Sequence, residues 1–533
     1  MSTLTGTGAL VRMALRRDRI MLVVWLYVLT AFVASTVYGF RGLYPTTAGR
    51  IDFVNTAAHN PAFLSLYGQI YGDSLGSLTA WRDATLLSIG TGLLSIFIVV
   101  RHTRADEEAG RQELIGATVV GRHAPLACAL AVAVTANLVI AVIMAAAAIA
   151  FGLPAAGSLA FVAGVAGAGL VFAGIAAITA QLAQTARSAR GLAIGVLVFA
   201  FLLRAVGDSA GQGGPRWLSW LSPNGWAELD RAFGSTRWWV LALPLAVALV
   251  AGAAGAMLAT HRDYDAGLLA QRRGPAGSAA LRSPLALAWR LQRASLLAWA
   301  TGTLVYGIVI GSSAKGIGGA LGSGEVRRIM ARLGGQAGLT NAYLAALLSF
   351  TGLVAAGYAI STVLRLRSEE TEGRADPVLA TGAGRISWGA AHMSIAAAGT
   401  VLIMALTGLG TGIGYAYRAG GGGAEIGRLL TAGLAQAPAA LVIGGIAAAL
   451  FGLAPRASVA TSWSVLGVVV AMLVLGATLQ LSHWVLDISP FTHLPKLPGG
   501  TAHPTPLIVL CVVALLLGGA GLAGLRRRDI ASS

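Results

Sequence analysis

The sequence predicts an all-α polytopic membrane protein of twelve transmembrane helices, arranged as two parallel six-helix repeats. Three observations carry this prediction. The 533-residue chain is 56% hydrophobic and only 11% charged, with a mean hydropathy of +0.74. Its apolar residues come in uniform blocks of about 20, the length that crosses a hydrocarbon core of roughly 30 Å as a helix. A charged stretch that follows the second block returns 263 residues later. Helices satisfy every backbone polar group inside their own segment, as a bilayer requires. Closed barrels meet the same demand with strands that alternate apolar and polar, which these blocks do not.

Taken in order, the blocks lie at about 20 to 40, 83 to 100, 124 to 151, 157 to 182, 190 to 206 and 238 to 260. A second set follows at about 294 to 313, 341 to 364, 388 to 412, 429 to 453, 461 to 481 and 506 to 525. The halves divide as 1–275 and 276–533. The first block follows Arg12, Arg16, Arg17 and Arg19, the charge order of a signal peptide. It is long enough to span and lacks a small-x-small cleavage site, so it reads as an uncleaved first span. The second block carries Arg82 and Asp83 at its outer end.

The formal charge is +17, but the basic residues are dispersed among short loops and form no basic domain. Anionic lipid headgroups, and not nucleic acid, are the partner this implies. With both termini cytoplasmic, the inside segments hold 24 of the 38 basic residues, as the positive-inside rule asks. Lys315, Arg327, Arg328 and Arg332 dissent, and "EVRRIMARL" is read as an amphipathic helix resting on headgroups. Arginine outnumbers lysine 36 to 2, which with the many Ala and Gly suggests a GC-rich bacterial genome and hence a bacterial plasma membrane. Cys128 and Cys511 lie inside apolar runs and are read as packing residues.

The repeat is clearest in the charged stretch. "RADEEAGRQELIGATVVGR" from Arg104 aligns with "RSEETEGRADPVLATGAGR" from Arg367, so that Arg104, Glu107, Gly110, Arg111, Ala117, Thr118, Gly121 and Arg122 meet identical residues. Asp106 and Glu113 meet Glu369 and Asp376, so charge sign repeats as well. Further matches are Arg16, Arg19 and Trp25 with Arg290, Arg293 and Trp299, Ser222-Pro223 with Ser489-Pro490, and Arg262-Asp263 with Arg528-Asp529. Six spans per half make this a parallel duplication and not an inverted one. Gly110 and Gly373 are placed to end a helix, and Gly121 and Gly384 to supply a positive φ before the next one starts.

On these residues the chain resembles the permeases of type-2 ABC exporters, whose segment between spans two and three commonly reads Glu-Arg-Glu-x-Gly-Thr-Leu-Glu-Leu-Leu-x-Ala-Thr-Pro-x-Ser-Arg. Ala105 to Arg122 matches the Glu, Gly, Glu-Leu, Ala-Thr and final Arg; Ser368 to Arg385 matches the same frame with Asp376-Pro377 in place of Glu-Leu. Both copies lack Thr after Gly and Pro after Ala-Thr. The resemblance implies coupling helices at 101–122 and 365–386 that dock into a separate ATP-hydrolysing subunit. Glu107, Glu108, Gly110, Arg111 and Glu113, with Glu370, Glu372, Gly373, Arg374 and Asp376, are the residues it assigns to that contact. The basic stretches "LVRMALRRDR" and "LALAWRLQR" resemble the family's interfacial connecting helix. The connection bearing Trp217, Trp220, Trp226, Trp238 and Trp239 resembles its short outer helices at headgroup level. One chain with two such halves is most similar to the exporters of polyketide antibiotics of actinobacteria, which implies an amphipathic or hydrophobic cargo, antibiotic or drug-like.

A phosphate-binding loop needs Gly-x-x-x-x-Gly-Lys-Ser/Thr, and neither Lys315 nor Lys496 fits it. ATP and Mg are therefore expected on two copies of a separate ATPase subunit, and no cofactor on this chain. Two other classes stay open. Six plus six spans also describe major facilitator secondary transporters, which usually use a membrane-embedded carboxylate; Asp83 and Asp208 are read near outer ends. A membrane enzyme would need a constellation, and His59, His483, His493 and His503 with Asp487 fit no metal-ligand spacing. For the cargo path, Phe97 and Phe201 are placed on the wall made by the second and fifth spans. Arg204 is read either as a cargo contact or as an arginine snorkelling outward and paired with Asp208 one turn on.

Overall fold

The computed structural model describes residues 3–58, 61–209, 215–262, 266–269, 281–320, 335–419, 422–475, 482–501 and 503–529. The described residues are helical and contain no strand. Among the described residues eleven helices are long and apolar enough to cross a membrane. In the first half these are α1 (Thr7–Leu43), α2 (Leu75–Val100), α3 (Ala124–Ala150), α4 (Ala155–Leu182), α5 (Ala186–Ser209) and α6, which runs from Ala242 to Thr260 after a 3₁₀ turn at Trp238–Leu241. The second half has α7 (Pro284–Ala320), α8 (Gly335–Thr371), α9 (Arg385–Ala419), α10 (Gly422–Leu453) and α12 (Pro504–Arg527). Between the last two lies α11 (Ser458–Leu475), a shorter apolar helix; the rest of the block at 461 to 481, with Gln480, lies outside the described residues. So do His59, Asp263 and the stretch "EVRRIMARL".

The chain divides into two compact units, Met1–Gly274 and Pro275–Ser533. Each unit has the same internal pairing: α1 lies on α3, α2 on α4 and α4 on α6; α7 lies on α9, α8 on α10 and α10 on α12. The most enclosed helices are α2 and α4 in the first unit and α10 in the second, while α1, α6 and α12 keep most of their surface outward. Close approach depends on small residues, as expected where no hydrophobic drive separates helix from lipid. A Cβ on Gly311 would meet the Thr411 carbonyl at 2.0 Å, and one on Gly414 the Ile308 carbonyl at 2.1 Å, so α7 and α9 touch backbone to backbone.

Three expectations are corrected. The basic stretch ahead of the first block is not a separate interfacial helix: it is the beginning of α1, 37 residues long. At 1.5 Å per residue that is about 55 Å, well beyond the hydrocarbon core, and α7 has the same length. No Gly or Pro interrupts the run from Val11 to Val33, so nothing breaks the helix. Asp83 is not at an outer end, because α2 starts at Leu75, capped by the Ser74 hydroxyl; Asp83 lies about two turns inside, fully buried, accepting a hydrogen bond of 2.9 Å from Thr36. The outer tryptophan connection does not simply lie at headgroup level. Trp217, Trp238 and Trp239 are exposed, but the short helix Pro223–Leu229 is wholly buried against α2 and α4 from Pro223 to Glu228.

That turned-in helix delivers Glu228 to Arg204, which is fully buried on α5. The Arg204 guanidinium donates to the carbonyls of Ser65 and Leu66, both at 2.8 Å, and to Thr85 Oγ1 at 2.6 Å; it lies 3.4 Å from Glu228 and 3.8 Å from Asp208. It neither snorkels to an exposed surface nor faces an open path; it ties four elements of the first unit together. Ser222 and Ser489 cap the turned-in segments of the two halves, each followed by Pro, so the repeated Ser-Pro pair marks a repeated local structure.

Glu228 is pushed up to about 8, chiefly by burial, which the pull of Arg204 only partly offsets; burial likewise pushes Asp230 up to about 8. Both carboxyls therefore hold protons in the folded chain that the unfolded chain would release near the ordinary carboxylate range. The stability this gives is complete below that range and is lost as pH rises through about 8. The melting temperature of the detergent-solubilised protein is expected to fall between about pH 5 and pH 8 and to level off above that. Glu228→Gln together with Asp230→Asn, which mimic the neutral acids, should flatten the fall; an equally steep fall in this variant would contradict the assignment.

Candidate functional site: two charged elbows

Both charged stretches fold into the same elbow. In the first half α2 continues through a π-helical turn at Arg101–Ala105 and ends at Glu108. Gly110 then adopts φ 68°, donates its N–H to the Glu107 carbonyl at 2.9 Å, and a short helix Arg111–Gly116 leaves in a new direction. In the second half α8 runs on to Thr371, Gly373 adopts φ 66° and donates to the Glu370 carbonyl at 3.1 Å, and the short helix is Ala375–Ala380. A side chain at either glycine would be strained in this left-handed conformation. An ion pair closes each elbow across the glycine: Asp106 to Arg111 at 2.5 Å, and Glu369 to Arg374 at 3.1 Å.

The later glycines differ from expectation. Neither Gly121 nor Gly384 has a positive φ; in the second half Gly382 has it instead, at 83°. Gly121 is small for another reason: a Cβ there would meet the Thr3 carbonyl oxygen at 2.2 Å, because the N-terminal residues pair with this loop through Gly121 N to Thr5 O and His123 N to Thr3 O.

The central carboxylates point inward. Glu107 is buried and accepts a fork of two hydrogen bonds, 3.0 and 2.9 Å, from Arg262 just past the end of α6, plus one of 2.8 Å from Arg104. Glu370 is buried and accepts the same fork, 2.6 and 2.8 Å, from Arg528 just past the end of α12, with Arg367 at 3.6 Å. The far end of each elbow returns to the same last helix: Arg122 donates to the carbonyls of Ala259 and Thr260 at 3.4 and 3.0 Å, and Arg385 donates to the carbonyl of Arg528 at 2.9 Å. Cationic side chains at helix C-termini are electrostatically favoured as well as hydrogen-bonded.

Of the residues that the resemblance assigned to partner contact, the structure therefore separates two sets. Glu107 and Glu370 face the bundle. Glu108, Arg111, Glu113, Glu372, Arg374 and Asp376 are exposed, with Gly110 and Gly373 half-buried at the bends. Leu114 and Val119 add exposed apolar surface to the first elbow. Arg262 and Arg528 were visible in the sequence only as a repeated Arg-Asp pair, without a role. Phe97 and Phe201 are both half-buried, and the Phe201 ring faces the Arg204 guanidinium at 5.2 Å.

The first elbow has an additional attachment. Buried Asp18 on α1 lies 2.6 Å from His102 Nε2 and 3.2 Å from Arg101, and Arg17 reaches Asp106 at 2.8 Å. In the second half the residue aligned with Asp18 is Gln292, which bonds instead to His392 of α9 at 2.7 Å. An acid within a run of arginines was the signal for this strap. Among the described residues no three His, Cys, Asp or Glu side chains are grouped to hold a metal.

Inward and outward carboxylates should respond differently to the same substitution. Glu370→Lys places a cation among Arg367 and Arg528 and is expected to cost more than about 3 kcal/mol, as for breaking a buried pair. Glu372→Lys, two residues on and exposed, is expected to stay within about 0.5 kcal/mol. Thermal unfolding followed by fluorescence-detected size exclusion distinguishes the two; equal losses would contradict the inward assignment of Glu370.

Comparison with known proteins places this architecture. The family model described as "Multidrug efflux system permease Rv1217c, C-terminal domain" matches residues 281–526, nearly the whole second half. The multidrug efflux system permease protein Rv1217c of Mycobacterium tuberculosis (strain ATCC 25618 / H37Rv) is 40% identical over 537 residues, covering 99% of this chain and 96% of the relative. With eleven membrane-length helices among the described residues and this similarity from end to end, the chain is a multi-pass membrane protein that belongs to the multidrug efflux system permease family.

Proposed function

We propose that the chain is the membrane subunit of an ATP-driven exporter, moving amphipathic or hydrophobic drug-like compounds out of the cytoplasm or inner leaflet of a bacterial plasma membrane. Two copies of a separate ATPase subunit, carrying ATP and Mg, bind the elbows at 101–122 and 365–386. The exposed side chains Glu108, Arg111, Glu113, Glu372, Arg374 and Asp376 make that contact. Both termini and both elbows lie on the cytoplasmic side. The observation that carries this reading is the duplicated elbow: a helix, a left-handed glycine and a second short helix, with charged residues outward over buried ties. The efflux name of the relative supports a drug-like cargo, and the absence of a phosphate-binding loop from the sequence supports a separate motor.

One observation favours a secondary transporter driven by protons. Asp83 is buried inside the span α2, with Glu228 of the Arg204 cluster buried against the same helix, and an acid within a span marks a candidate proton pathway. The duplicated elbows outweigh it, because the Arg204 cluster has no counterpart in the described residues of the second unit, whereas the elbows are present in both.

The test is to coexpress the chain with the ATPase encoded beside it and to compare wild type with Glu113→Lys plus Asp376→Lys. Copurification of the ATPase is expected to fall at least ten-fold while the chain itself remains folded. If the wild-type chain purifies without an ATPase, the reversals change nothing and efflux follows an imposed proton gradient, the secondary transporter is the correct account.

A further inference from the structure

Each elbow is fixed to the last helix of its own half at two points. One is the carboxylate fork, Glu107 to Arg262 or Glu370 to Arg528; the other is the arginine at the far end, Arg122 or Arg385, on the terminal carbonyls of the same helix. A single attachment would act as a pivot, about which the elbow could swing without moving anything. The two attachments leave the elbow about fifteen residues apart, at Glu107 and Arg122 or at Glu370 and Arg385, and meet the end of the last helix at 259–262 in the first half and at Arg528 in the second, so both ends of the elbow, and not one, must follow that helix.

The path continues beyond the fork. A Cβ on Gly255 of α6 would meet Ala177 of α4 at 2.8 Å, and one on Gly174 of α4 would meet Ala251 of α6 at 2.7 Å. In the second unit a Cβ on Gly452 of α10 would meet the Gly521 carbonyl of α12 at 2.0 Å, and one on Gly521 the Ala448 carbonyl at 2.3 Å. The last helix of each half is thus keyed into that half's enclosed fourth helix, leaving no soft layer between elbow and core. The comparison of the two copies points the same way. They agree at eight of nineteen positions, and Arg104, Glu107, Gly110, Arg111 and Arg122 are five of the eight. The residues that make the ties and the bend are retained between copies that have diverged elsewhere.

We propose that Glu107 with Arg262 and Glu370 with Arg528 are the joints that make each elbow and the last helix of its half move as one body, so that a push on the elbow reaches the opposite end of the membrane. These four are positioning residues; they act through the helix and not on the cargo. The proposal rests on the ATPase-docking reading above. A hydrophobic pair of similar volume would stabilise such a site as well as an ion pair does; the charged fork adds a fixed relative orientation of two planar groups.

The experiment uses the full chain with its coexpressed ATPase, in a background of Cys128→Ala and Cys511→Ala. Spin labels at Leu245→Cys on α6 and Val509→Cys on α12, both exposed sites, report the distance between the outer ends of the last helices. Wild type is compared with Arg262→Lys plus Arg528→Lys, which keeps both charges and loses both forks. Adding ATP and vanadate is expected to shift the distance in wild type. In the lysine variant the ATPase should still copurify and hydrolyse ATP within two-fold of wild type, with the distance shift reduced at least five-fold. Should the lysine variant fail to reach the membrane, Glu107→Gln plus Glu370→Gln is read in the same way. A full-sized shift in either variant overturns the proposal, as does loss of the ATPase from the lysine variant alone, which would return the forks to the docking surface. Absence of the ATPase from wild type is a different result, and it removes the docking reading and this one with it.

Discussion

The structure depends on a buried carboxylate held between two arginines, made once in each half. Glu107 and Glu370 are drawn from the end of a second span, and Arg262 and Arg528 come from more than 150 residues further along the chain. Burying such charges is costly unless every one is paired and hydrogen-bonded. The fork geometry meets that condition only when the elbow and the last helix hold one relative position. The ion pair therefore works as a constraint on orientation more than as a source of stability. The left-handed glycine, the elbow's own acid–arginine pair and the arginine on the helix carbonyls are all arranged around it.

Much of the architecture was legible in the sequence, because a bilayer allows few solutions. Uniform apolar blocks of membrane length specify helices, and a charged motif recurring in register marks a repeat, which returns as the same helix pairing inside each unit. The bends at Gly110 and Gly373 were legible from the glycine before a second short helix. The partners of Glu107 and Glu370 were not, since periodicity carries no information about contacts that distant; the recurring Arg-Asp pair was the one trace, and it named no role. The continuity of α1 was hidden by its arginines, which suggest a separate surface helix although no residue there breaks the backbone. Glu228 was missed because it sits in a connection that polarity assigns to the outside, while its burial is set by Pro223 and the Ser222 cap turning the chain inward.

The two halves share the elbow and its ties but not their surroundings. The first elbow is also strapped to α1 through Asp18, and the opposite end of that unit is tied together by Arg204. In the second half Gln292 takes the place of Asp18 and bonds elsewhere. A duplicated chain whose copies differ in this way keeps in both what the shared task requires and lets the rest diverge.

The central claim is that the carboxylate and the distant arginine form one energetic unit, and a double-mutant cycle measures this directly. Unfolding of wild type, Glu370→Gln, Arg528→Gln and the double variant would be followed in mixed micelles. The account predicts that the double variant is less destabilised than the sum of the single ones, with a coupling of about 1.5–3 kcal/mol, the range of hydrogen bonds to charged groups. Additive losses, within about 0.5 kcal/mol, would contradict it.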